Sequence, residues 1–155
     1  MSHRNRIRFQ KLTRIEPDTI SNTSLNSSVG ANVCWTPILA SRSGQLISVG
    51  LNFKTAAGNH RLAIYSTAGA LLGESSSTAV VTGWNNLAIS GVSIVANTEY
   101  LLALQISSTS AIIYYRGAPT GFWAYKAQVY GAFPATLPAG STVAAVTPNM
   151  RLTYT

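Results

Sequence analysis

Every second side chain from Tyr100 to Ile106 is large and apolar: Tyr100, Leu102, Leu104 and Ile106 alternate with Leu101, Ala103 and Gln105. A period of two sends successive side chains to opposite faces, so the segment reads as a β-strand and not as a helix. The intervening set is also mostly apolar, so this strand is expected to be central and covered on both sides. Gln45–Lys54 alternates more strictly, with Ile47, Val49, Leu51 and Phe53 expected inward and Ser48, Gly50 and Asn52 outward. Arg61–Ser66 is a third such segment, with Leu62 and Ile64 on one face. Thr67-Ala68-Gly69 is a turn signal that returns the chain along Ala70–Gly73 as a hairpin partner.

Further short strands are expected at Ala79–Thr82, Trp84–Ser90 and Val92–Val95, broken at Gly83 and Gly91. Later ones are expected at Ala111–Arg116, Phe122–Tyr125, Gln128–Tyr130, Thr142–Val146 and Met150–Tyr154. Strand candidates recurring every eight to twelve residues or so, with turn residues between them, mark an antiparallel sandwich or barrel. No stretch carries a sustained helical stripe, and no fixed-period repeat marks a solenoid or propeller. The expected fold is all-β, an antiparallel, jelly-roll-like β-sandwich with an extended N-terminal arm. A chain of 155 residues makes one ordinary domain. Its 46% apolar and 10% charged residues exclude both a disordered chain and a charge-rich helical bundle.

The net charge of +7 is unevenly placed. Arg4, Arg6, Arg8, Lys11 and Arg14 face only Glu16 in the first sixteen residues, whereas the rest of the chain holds six bases and three acids. A basic leader on a nearly neutral body points to nucleic acid, an acidic protein surface or an anionic membrane. Within it, Arg4, Arg6 and Arg8 alternate with Ile7 and Phe9, a pattern suited to an extended segment that joins a sheet edge on another subunit. Pro17 and the Ser/Asn-rich stretch from Ser21 to Ser28 read as a linker. Residues 1–30 are therefore expected to form an arm and linker, and residues 31–155 the sandwich. No run of eighteen or more apolar residues is present to span a membrane, and no apolar stretch behind the leader makes it a signal peptide. The lone Cys34 allows no internal disulfide and, beside Trp35, reads as a small buried apolar residue in a protein assembled in a reducing cytosol.

Reactive constellations are missing. Paired carboxylates need two acids held together. Here Glu16 and Asp18 fall in the leader and linker, while Glu74 and Glu99 read as solvated strand-end residues. A zinc site needs three or four ligands, and His3, His60 and Cys34 are too few and too scattered. No acid-rich loop of the kind tight calcium binding requires is present. No Gly-x-Ser-x-Gly elbow or phosphate-binding glycine loop leads into a helix, and His60 lies in what reads as a loop before a strand. No catalytic residue, cofactor or metal is expected, and an enzyme is not.

One positive cluster remains, since Tyr114, Tyr115, Phe122, Trp123, Tyr125 and Tyr130 fall within seventeen positions. Tyr115, Trp123 and Tyr125, with Arg116 and Lys126 nearby, can be packed, can anchor a subunit interface, or can stack on sugars.

The run of Gly50-Leu51-Asn52-Phe53, Arg61-Leu62-Ala63-Ile64-Tyr65-Ser66, Leu71-Leu72-Gly73-Glu74, Gly83-Trp84-Asn85 and Thr98-Glu99-Tyr100-Leu101-Leu102-Ala103 resembles a β-sandwich module of tailed-phage virion proteins. That module occurs in head-decoration and fibre proteins and in some bacterial surface proteins. Tyr130–Pro138 is similar to the closing segment of such proteins. The resemblance spans about residues 46–106 and excludes the leader. It implies a capsid decoration or cement protein, located in the virion and assembled in the host cytoplasm, with a homotrimer favoured. Its partner would be the major capsid protein or another virion protein, met by Arg4, Arg6, Ile7, Arg8, Phe9, Lys11 and Arg14. The alternative is a carbohydrate-binding module of a tail fibre or cell-surface protein. Nucleic acid ranks below both, because Phe9 is the only stacking residue among the leader bases. A membrane partner is not expected.

Overall fold

The computed structural model describes residues 14–16, 23–24, 32–117, 123–143 and 146–155. Among these, the strands are β1 (Arg14–Glu16), β2 (Thr23–Ser24), β3 (Asn32–Leu39), β4 (Gly44–Thr55), β5 (Asn59–Ser66), β6 (Leu71–Glu74), β7 (Thr78–Ala79), β8 (Gly83–Ala88), β9 (Ser93–Ile94), β10 (Glu99–Ile106), β11 (Ile112–Gly117), β12 (Trp123–Ala127), β13 (Ser141–Val143), β14 (Val146–Pro148) and β15 (Met150–Tyr154). They form two antiparallel sheets. The first runs β1-β15-β4-β11-β14, with β8 and β9 on β4 and β2 on β11. The second runs β13-β12-β3-β10-β5-β6, with β7 on β5. The chain crosses between sheets at most connections, and the architecture is the all-β antiparallel sandwich that the strand spacing implies. No helix among the described residues is long and apolar enough to cross a membrane.

β10 is the central strand of the second sheet, flanked by β3 and β5, and both of its faces are covered. Its inward row, Tyr100, Leu102, Leu104 and Ile106, joins Leu62 and Ile64 of β5 and Cys34 and Ile38 of β3 in the main core. From the first sheet, Val49, Leu51, Phe53, Leu152 and Tyr154 close that core. Each fully buried side chain of this size contributes about 1.5–3 kcal/mol.

The second sheet's outer face is apolar too. Val33, Trp35, Ala63, Tyr65 and Ala103 form a second cluster, closed by Phe133. Phe133 belongs to an irregular strap over 131–140, and Gln128–Tyr130 just before it, expected as a strand, is irregular too. Proline at 134 and 138 removes donors that a ladder needs, and the strap bonds to the sheet below instead. Gly131 N–H donates to Gln105 Oε1 (3.0 Å), Phe133 N–H to Glu74 Oε2 (3.1 Å) and Tyr65 O–H to the Pro134 carbonyl (2.8 Å). The Leu71 and Leu137 amides add bonds to the Ala135 and Gly69 carbonyls. Burial, with the Glu74 carboxylate nearby, pushes the Tyr65 hydroxyl well above its ordinary value, so it stays a donor. Glu74 is consequently not the solvated strand-end acid that its position implies. It accepts from the strap and, at 2.8 Å, from Arg61 Nη2.

Gly69 turns the β5–β6 hairpin at φ 82°, where its amide donates to the Ser66 carbonyl at 2.9 Å. A residue with a side chain is strained there.

The β15–β4 ladder departs from strict alternation at one point. Thr153 stands opposite Ser48 but Tyr154 stands opposite Leu46, so a bulge leaves Ile47 without a partner. Leu46 turns into the core and Ile47, expected inward, is 42% exposed. Leu46→Ala is expected to cost about 2–5 kcal/mol of unfolding free energy. Ile47→Ala should cost less than about 1 kcal/mol, despite the same size of deletion. Urea unfolding of the two variants checks the bulge, since equal losses would place both side chains inside.

Candidate functional site

The sites expected from the sequence fall in three places. Arg4, Arg6, Ile7, Arg8, Phe9 and Lys11 lie outside the described residues. Arg14 begins β1, whose backbone pairs with β15 at the rim of the first sheet, Arg14 opposite Tyr154 and Glu16 opposite Leu152. Thr23 and Ser24, inside the expected linker, pair with Tyr115 and Tyr114 of β11. The first sheet thus takes in strands from within residues 1–30. Antiparallel pairing brings residue 14 to the same end of the sandwich as the C-terminal Thr155, whose amide donates to Gln45. Arg42, in the β3–β4 turn, is at that end as well and donates its amide to Tyr154 Oη (3.3 Å).

The aromatic cluster divides. Tyr115 is 1% exposed and sits in the main core, so it takes no part in a surface platform. Its place on β11, inward between β2 and β14, is the reason. Tyr125 on β12 is 39% exposed. The backbone of Trp123 is on the same edge-proximal strand, paired with Val143 of β13. Tyr130 is half-buried and its hydroxyl meets Ser77 Oγ at 2.6 Å.

Sequence reasoning missed a third place, the outer face of the first sheet. Arg151 of β15 stands opposite Gly50 of β4, and Gly50 stands opposite Asn86 of β8. A Cβ on residue 50 would come within 2.5 Å of Asn86 Oδ1 and 2.9 Å of Arg151 Cγ. Because glycine leaves that lane open, Arg151 lies across β4 and donates from Nε to Asn86 Oδ1 at 2.8 Å. Its guanidinium carbon is 4.1 Å from the ring centre of Trp84, in cation–π contact. Partial burial draws the Arg151 pKa below its ordinary value, but a guanidinium stays charged. The Gly83-Trp84-Asn85 motif builds this corner from both sides. Asn85 points inward and ties its own loop, accepting from Val81 N–H (2.9 Å) and donating to the Val81 and Gly83 carbonyls (2.7 and 2.9 Å). Trp84, one residue earlier, is left on the outer face opposite Asn52. The signal available in the sequence was the outward Gly50 in an otherwise unbroken strand pattern.

Among the described residues, no three of His, Cys, Asp and Glu come together as a metal site. The fold and these surfaces define a β-sandwich with a leader rooted at one rim and two separate aromatic faces. No family model, curated protein or solved structure matches the chain.

His60 was expected in a loop but is a fully buried residue of β5. Its Nδ1–H donates to the Thr78 carbonyl of β7 at 3.0 Å, and its ring meets Phe53 edge-on at 5.1 Å. Nε2 has no partner among the described residues. Burial lowers the His60 pKa from 6.5, partly offset by the bond to Thr78, so the folded chain holds the neutral imidazole. The unfolded chain then binds the extra proton first as pH falls, and stability declines through and below about pH 6.5. The urea midpoint is expected to drop between about pH 7.5 and pH 5.5. His60→Gln should flatten that drop while keeping a donor for Thr78. An unchanged slope in the variant would assign the pH dependence to other groups.

Proposed function

We propose that the chain is a non-catalytic structural protein of a virion, a capsid decoration or cement protein fastened through its N-terminal arm. The observation that carries the reading is the root of the leader. With β1 seated on β15, the thirteen residues before Arg14 start from a sheet rim. Those residues hold four bases and no acid. Fully extended they reach roughly 40 Å, enough to cross onto a neighbouring subunit. The alternating Ile7 and Phe9 would press into an apolar groove while Arg4, Arg6 and Arg8 meet acidic surface. Repetition over many copies, as homotrimers on a lattice, would multiply weak contacts by avidity. The resemblance of residues 46–106 to tailed-phage virion modules supports the same reading and supplies its location. The sandwich contributes a body with a packed core between its sheets and a second cluster under the strap, which suits a passive component.

A second reading, a carbohydrate-binding module of a tail fibre or cell-surface protein, is favoured by the exposure of Tyr125 on the strand that also holds Trp123. Loss of glycan-array signal in Trp123→Ala and Tyr125→Ala would support it over the first.

Because β1 is part of the first sheet, the discriminating truncation removes residues 1–13 and keeps Arg14–Glu16. The shortened chain should unfold at the same denaturant midpoint as the full chain. Its co-sedimentation with shells of the co-expressed major capsid protein should fall at least about tenfold. Full-chain attachment should weaken between about 0.05 and 0.5 M salt as the leader charges are screened. Attachment that survives the truncation rules the arm mechanism out.

A further inference from the structure

We infer that Arg151, Asn86 and Trp84 form a binding site for a carboxylated sugar, such as a hexuronic acid unit of an acidic polysaccharide. The inference stands apart from the leader reading, since it uses a different surface and a different ligand.

The hydrogen-bond inventory of the three side chains is one-sided. Arg151 has only donors, and Nε is committed to Asn86 Oδ1. That bond takes up one lone pair of the Asn86 amide oxygen and fixes the orientation of the exposed side chain, whose NH2 is left as a donor. The two Nη groups and the Asn86 NH2 therefore make donors predominate, a set suited to an anion flanked by hydroxyl oxygens. The guanidinium is also held in place, stacked at 4.1 Å on Trp84 and pinned at Nε. A fork fixed in this way binds a carboxylate with two parallel bonds and loses little side-chain freedom in doing so.

The scale of the site selects a small ligand. Trp84 and Asn86 are two positions apart on one strand, about 7 Å, and Arg151 is two strands away, about 10 Å. That footprint matches one or two sugar rings and falls far below the roughly 800 Å² that a protein partner needs on each side. Beside it, Thr153, Ser48 and Ala88 stand in register as a row of small side chains, which leaves the fork raised above a flat floor. No described acid shares the sheet-face row with the guanidinium: Glu74 and Glu99 are on β6 and β10 of the other sheet. The backbone of Glu16 lies on β1 opposite Leu152, so the test includes it.

The experiment is a titration of the isotopically labelled full chain with trigalacturonate, with galactotriose as the neutral counterpart and with acetate as the bare anion. Trigalacturonate is expected to bind with about millimolar affinity, shifting the Asn86 side-chain amide and the Trp84 indole resonance. Galactotriose and acetate should each bind at least about tenfold more weakly. Arg151→Gln should lose the binding. Arg151→Lys, which keeps the charge without the fork, should lose about tenfold. Asn86→Ala, at an exposed position, guards against a folding defect in the arginine variants and should weaken binding too. Equal binding of galactotriose or of acetate overturns the assignment, as does undiminished binding in Arg151→Gln. Binding that appears only in Glu16→Gln also overturns it, by making Glu16 the fork's own occupant. Failure of this titration leaves particle attachment through the leader untouched, because truncation and co-sedimentation read that separately.

Discussion

Antiparallel pairing along β4 decides which side chains stand together over most of the first sheet. Its twelve residues pair with β8 and β9 along one edge and with β15 and β11 along the other. One strand therefore sets the register of four others at once. A slip of one residue would send Val49, Leu51 and Phe53 to solvent, which the apolar core forbids. The bulge at Ile47 is the single place where β15 and β4 lose step, and it confines the slip to one exposed side chain. From the same register comes the alignment of Arg151, Gly50 and Asn86 across three strands.

The second sheet depends on a different condition. Both faces are apolar, so the sheet is stable in water only if something covers the side turned away from the first. The strap over 131–140 does this with Phe133, and its backbone polar groups are met by side chains from below. Glu74 is central because its carboxylate serves Arg61 and the strap together. An exposed ion pair contributes about 1 kcal/mol or less, but this one is partly shielded and also satisfies a backbone donor. Arg61, Glu74, Tyr65 and Gln105 thus form a polar support under an irregular segment that has no ladder of its own.

These two conditions place the surfaces available for function. Strand β1 extends the first sheet at its β15 edge and places Arg14 at the end that holds Arg42 and Thr155. The outer face of that sheet carries the Arg151 fork, while Tyr125 belongs to the second sheet near its β13 edge. The buried neutral His60, between the two sheets against Phe53, links fold stability to acidity without facing any of these surfaces.

The alternation in Gln45–Lys54 and Tyr100–Ile106, with turn residues between segments, was enough to determine an antiparallel sandwich and the central position of β10. Period-two patterning is a local property, and it survives in any arrangement that buries one face. Which outward residues meet is a different matter, because cross-strand neighbours are distant in sequence. Arg151 and Asn86 are 65 positions apart and touch only because β4 stands between them with a glycine in the lane. Tyr115 and Tyr125 look alike in sequence, and both stand on strands next to a sheet edge, yet one is 1% and the other 39% exposed, because Tyr115 is packed into the core shared by the two sheets. Ile47 and Glu74 were misplaced for the same reason: a bulge and a strap are answers to packing demands from elsewhere in the chain. Local alternation specified the strands, and only the closure of two sheets around a shared core settled which polar and aromatic groups became neighbours.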